Sequence, residues 1–207
     1  MTHDTDNTAA DIAWMRKLAE EGADSPMRGA PILMFSGLIY GAMSVVAWLA
    51  AADLIPLSIN QASIGWFIAT VIFWIMLAIM IPRIRRSGTN TLANRASGIA
   101  WSGVGWGIFA LALAMGVLGW RLGETAGPAL FALIPSVIMV FYGAGWAVSA
   151  AMFKDRTMWA LSFASFAAAP LLAVFAGQSS QYLAYAVALF GLMALPGYLF
   201  MRAAKRA

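Results

Sequence analysis

Cysteine is absent from the chain, and histidine occurs once, at His3. The first absence excludes disulfides, thiolate metal ligands and thiol catalysis. The second leaves no imidazole for metal or acid–base chemistry outside a polar N-terminal tail. Charge is scarce as well: Asp, Glu, Lys and Arg make up 11% of the 207 residues, where soluble domains carry about 25%. Apolar residues reach 62% and the mean hydropathy is +0.78. A chain this short could not hide so much apolar surface by folding in water, which excludes an ordinary cytosolic enzyme and a nucleic-acid-binding domain. Disorder is excluded by the same hydrophobicity. The class that remains is a polytopic membrane protein.

Six stretches are free of Asp, Glu, Lys, Arg and His and have the length a spanning helix needs, about 20 residues. They cover 31–51, 62–81, 98–120, 128–153, 157–177 and 182–201. Turn residues separate them, among them Pro56, Pro82 onward and Gly123 to Gly127. Barrel strands would alternate polar and apolar residues; these runs are apolar on all sides. The expected fold is therefore an all-α integral membrane protein, a six-transmembrane-helix bundle over 30–207. The first run is too long for a signal-peptide core and follows a polar tail, so it reads as a retained span.

The basic residues set an expected orientation. If the spans alternate, twelve of the thirteen fall on one side and Arg121 alone on the other. By the positive-inside rule both termini are then cytoplasmic. No stretch resembles an organelle-targeting segment, which points to a bacterial inner membrane. Arg83, Arg85, Arg86 and Arg95 form the largest basic group, read as a loop. That loop sets topology and is a candidate contact for anionic lipid or an acidic partner segment.

Residues 1–29 form a cytoplasmic tail holding six of the nine acids. Within it, 11–21 reads as a short amphipathic helix with Ile12, Met15 and Leu18 on one face and Trp14 at its edge. Such a helix lies on the bilayer surface or docks a partner.

The odd-numbered spans share a pattern. Phe35-Ser36-Gly37-Leu38-Ile39-Tyr40-Gly41 and Trp101-Ser102-Gly103-Val104-Gly105-Trp106-Gly107 both fit aromatic-Ser-Gly-x-x-aromatic-Gly, and Ser162 with Phe166 keeps part of it. Each even span ends in a basic stop, so the simplest description is three parallel helical hairpins; shared membrane composition gives the same pattern without repetition. On a helix, Ser36, Gly37, Tyr40 and Gly41 fall in a sector of roughly 140°. Gly37 with Gly41, and Gly103 with Gly107, make small-xxx-small grooves that let two backbones approach. These residues are expected to pack helices or to border a ligand groove, and leucine at Gly37 or Gly103 to lower stability. Pro135, Pro170 and Pro196 lie inside spans, as hinges or fixed bends.

No span holds an ionisable group for a proton relay or ion path. Asp53 and Glu124 are isolated acids near span ends. No phosphate loop occurs, and the serines lack a base to activate them. The chemistry implies no cofactor and no enzyme. The expected role is an accessory, assembly or sensor protein that binds membrane lipids, another membrane protein or a second copy of itself. The alternative is a small transporter or channel for a neutral or apolar solute, lined by Tyr40, Tyr142, Tyr185 and serines. A water-accessible polar cavity would mark the alternative. A dry, packed interior with an exterior groove would mark the accessory role.

Overall fold

The computed structural model describes residues 26–86, 91–123 and 127–206. The short helix expected at 11–21 and Glu124 lie outside these residues. The described residues form six long helices and no strand: α1 (Ala30–Ala51), α2 (Ile59–Arg86), α3 (Leu92–Leu122), α4 (Gly127–Phe153), α5 (Arg156–Val174) and α6 (Ser180–Ala204). Each is long and apolar enough to cross a membrane, in the number and order that the apolar runs predict.

Local chemistry explains most boundaries. Pro31 occupies the first turn of α1, where its missing N–H has no helical partner to lose. At the other end Asp53 takes a left-handed φ of 55°. Its N–H donates to the Ala50 carbonyl at 3.2 Å while that of Leu54 donates to Leu49 at 2.9 Å, a Schellman closure of the last turn. Asp53 is thus a helix terminator. Ser58 and Gln61 open α2 as a reciprocal capping box: the Ser58 N–H donates to Gln61 Oε1 at 2.8 Å and the Gln61 N–H to Ser58 Oγ at 3.3 Å. Between α4 and α5 two residues suffice. Lys154 is left-handed with φ 52°, and Asp155 then accepts from the N–H groups of Thr157 and Met158 at 2.6 and 3.0 Å.

Pro82 does not end the second span. α2 runs through it to Arg86, and α3 starts at Leu92. The basic loop expected there is therefore mostly helix: Arg83, Arg85 and Arg86 form the last turn of α2 and Arg95 lies in the first turn of α3. Proline removes one i→i−4 hydrogen bond, a loss that membrane helices tolerate. The three arginines beyond it favour a helix C-terminus, where the macrodipole is negative.

Packing is uneven. α1 lies closest against α6, and α4 is flanked by α3 and α5, whereas α5 and α6 touch along little of their length. The centre is filled by Trp146, Met139, Leu189 and Met193, all fully buried. α2 and α3 are peripheral: 6% of their spanning residues are buried, against 39% in α1 and α6. Ile64, Phe67, Ile68, Ile72 and Ile75 are exposed along α2. A bilayer would cover this surface, which accounts for the apolar excess of the composition.

The last helix is irregular. Between Phe190 and Ala194 it takes a π turn, with the Leu195 N–H bonded back to the Phe190 carbonyl. Pro196 follows and has no proton to offer the Leu192 carbonyl four residues earlier. Trp146 of α4 supplies one instead, its Nε1 donating to Leu192 O at 3.1 Å. Replacing Trp146 by Phe keeps most of the ring and strips this donor, so thermal unfolding in detergent should show a loss of about 1–3 kcal/mol, the range for an unsatisfied buried carbonyl. In a Pro196→Ala background, which restores a backbone N–H, the same change should cost clearly less. Equal losses in both backgrounds would refute this role for Trp146.

Candidate functional site

The α1 motif is an assembly point. A Cβ added at Gly37 would come within 2.5 Å of the Ala194 nitrogen, and one at Gly197 within 2.5 Å of the Met34 nitrogen. Backbone therefore meets backbone along α1 and α6, which only glycine permits. At Gly41 the close neighbour is the Phe190 ring. Ser36 is buried and donates to the Leu33 carbonyl of its own helix at 2.9 Å. Ser44, fully buried, crosses to α6 and donates to the Tyr182 carbonyl at 2.7 Å. Tyr40 turns toward α2, with ring centroids 6.4 Å from Trp66 and 5.5 Å from Phe73.

The α3 copy is used differently. Ser102 and Gly103 are exposed, and a Cβ at Gly103 would meet open space. Trp106 is 59% exposed and contacts Trp74 of α2, centroids 5.7 Å apart. Of the copy's three glycines only Gly107 packs inward, against the Phe141 ring of α4. The reason is rotation. α3 faces α4 through Ser97, Trp101, Val104 and Ile108, a stripe at i, i+4, i+7 and i+11. In the motif alignment that stripe corresponds to residues 31, 35, 38 and 42 of α1, of which Phe35, Leu38 and Ala42 are exposed. The two helices thus share a sequence pattern and bury opposite faces of it.

In α5, Ser162 donates to the Gly143 carbonyl of α4 at 2.8 Å, and the Phe166 ring covers Gly143 so closely that an added Cβ would lie 2.7 Å from it. The basic residues Arg83, Arg85, Arg86 and Arg95 are all exposed at the end of the bundle that also carries Lys154 and Arg202.

Several residues that hold the bundle together carry no pattern in the sequence. Ser149 of α4 donates to its own Gly145 carbonyl at 2.9 Å and accepts from Trp101 Nε1 at 3.0 Å. Its single proton is thereby used, so Ser97, at 2.8 Å, donates to it. Gln181 is buried at the start of α6 and donates to Ala132 O of α4 at 2.6 Å and to Leu172 O of α5 at 3.3 Å. Asn94 of α3 grips the segment before α1, accepting from the Arg28 N–H at 2.8 Å and donating to the Pro26 carbonyl at 3.0 Å. Their pairing is visible only once the helices are placed.

Known proteins offer no guide. The chain matches no protein-family model, no curated protein and no solved structure.

Two tyrosines approach the centre. Tyr142 and Tyr185 are buried, and the Tyr142 ring lies 5.9 Å from that of Trp101. Ser136 is the one buried hydroxyl without a hydrogen-bond partner among the described residues. On the outside, a groove of about 320 Å³ runs between α1 and α6, lined by Met34, Leu38, Phe190, Ala194, Leu195 and Tyr198.

The two glycine positions now separate. Gly37→Leu should destabilise the bundle by at least the 1–3 kcal/mol usual for overpacking, read as detergent-solubilised melting. Gly103→Leu, expected from the pattern to do the same, should instead change stability by no more than about 0.5 kcal/mol, as an outward substitution. Equal losses at both sites would contradict the rotation of α3.

Proposed function

We propose that the chain is a non-catalytic accessory, assembly or sensor protein of a bacterial inner membrane, with both termini cytoplasmic, binding lipid or a membrane partner. The observation that carries this reading is where the polar and apolar features lie. Inside the bundle Ser44, Ser162, Gln181 and the Trp146 indole each join one helix to another, while the groove and the broad apolar faces of α2 and α3 lie outside. A wall built of such bonds is suited to holding one shape and presenting a surface. Solute passage would require those groups to face water.

A second reading is favoured by the buried Tyr142 and Tyr185 and by Ser136, whose buried hydroxyl has no partner among the described residues. It makes the chain a carrier for a neutral solute. Purification from native membranes in mild detergent, with reconstitution of the same sample into liposomes, separates the two. The accessory role predicts one membrane protein recovered in fixed ratio and glycerol influx no faster than in empty vesicles. Accelerated influx with no partner bound would replace it by the carrier role.

Orientation has its own test, made simple by the lack of native cysteine. Gln178→Cys, in the turn after α5, should react with a membrane-impermeant maleimide on intact spheroplasts, and Lys205→Cys only after lysis. The opposite pattern would invert the proposed topology.

A further inference from the structure

The groove between α1 and α6 is shaped by two features already described. Gly37 and Gly197 draw the two backbones together, so the side chains flanking that contact stand up as walls. The π turn then stacks Leu195 over Phe190, because their backbone bond joins residues five apart. In an uninterrupted α-helix these two would diverge by about 140°. Both therefore line the groove, and π turns occur frequently at functional sites.

Its dimensions match a lipid tail. From Phe190 to Tyr198 the helix advances about 12 Å at 1.5 Å per residue, close to the depth of one leaflet's hydrocarbon, half of roughly 30 Å. The lining is apolar up to Tyr198, an amphipathic ring of the kind that anchors at headgroup level. One turn further on the same face is Arg202, followed by Lys205 and Arg206, all exposed. The acids among the described residues do not neutralise them. Asp155 caps α5, and Asp53 closes the opposite end of α1.

We propose that this groove seats one acyl chain of an anionic phospholipid, with the lipid phosphate held by Arg202. The chain enters beside Tyr198 and ends against Phe190, near the membrane middle. The site rests on the membrane reading given above and sharpens its lipid-binding half.

Native mass spectrometry of the full chain tests this, with phosphatidylglycerol and phosphatidylcholine of identical tails supplied in equal amounts. The first phosphatidylglycerol should be retained roughly fivefold better, the ratio corresponding to about 1 kcal/mol for one basic residue near the headgroup. Arg202→Gln should abolish that preference. Leu38→Trp, which fills the groove from its exposed wall, should abolish retention of both lipids; Leu195→Trp serves the same purpose if the first variant melts early. Arg121→Gln, at the opposite end of the bundle, should change neither. Equal retention of the two lipids by the native chain, undiminished retention in both groove-filling variants, or displacement of the lipid by inorganic phosphate alone would each overturn the site. So would a dimer that buries the groove and binds no lipid. Retained lipid without a co-purifying protein upholds the site while removing the partner role; a partner without retained lipid overturns the site alone.

Discussion

An indole proton on α4 and a carbonyl on α6 decide how the two parts of the bundle meet. Pro196 deprives the Leu192 carbonyl of its helical donor, and hydrocarbon has no water to replace it. Trp146 is fully buried and fills that role at 3.1 Å. Its ring is in turn held edge-on by Trp101 of α3, centroids 5.2 Å apart, and lies 6.0 Å from Phe200 of α6. Three helices are fixed at one side chain. This matters because α5 and α6, neighbours in sequence, share little contact. Side-chain hydrogen bonds tie the close pair of α1 and α6 to the group of α3, α4 and α5 at Trp146, at Gln181 one membrane half away, and at Asn94 before α1, around one shared apolar core.

The same economy governs the rest of the interior. Ser44 and Ser162 each cross from one helix to a backbone carbonyl of another, as Gln181 does. Backbone carbonyls can accept a second hydrogen bond without losing the helical one. A chain with few ionisable residues can thus acquire directional contacts between helices without placing charge in hydrocarbon. Each such bond contributes modestly, on the order of 1 kcal/mol. Their joint effect is to select one rotation and one depth for every helix.

The six helices were legible because uncharged apolar runs of that length leave a membrane span as the favoured reading. Terminal chemistry, by contrast, came from the structure: Ser58 with Gln61, and Asp155, cap helices beside apolar runs. Pro82 misled because a single missing hydrogen bond ends a helix only where the flanking residues also favour ending it, and three arginines at the C-terminal end do the reverse. The motif at Ser36 and Ser102 was legible as a pattern and silent about which face it buries. That depends on α4, whose Ser149 and Gly145 receive Ser97 and Trp101 and so turn Gly103 outward. The α1–α6 contact was hidden for a related reason. Gly37 and Gly197 lie far apart in the chain, and neither announces the other.

Contacts of two kinds divide the bundle mechanically. Where α1 meets α6, glycine brings backbone atoms together, and displacement by even a fraction of an ångström produces overlap or a void. α2 is attached to α1 through the Tyr40, Trp66 and Phe73 rings, and to α3 through Trp74 against Trp106 and Phe109. Ring faces tolerate sliding that backbone contact does not, since aromatic pairs accept a range of offsets and tilts. Local stability follows buried contact, and α2 has little of it. The rigid element of the molecule is therefore the α1–α6 pair with its link to α4. The outer helix α2, held mainly through rings, is the one that a bilayer can reposition at small cost.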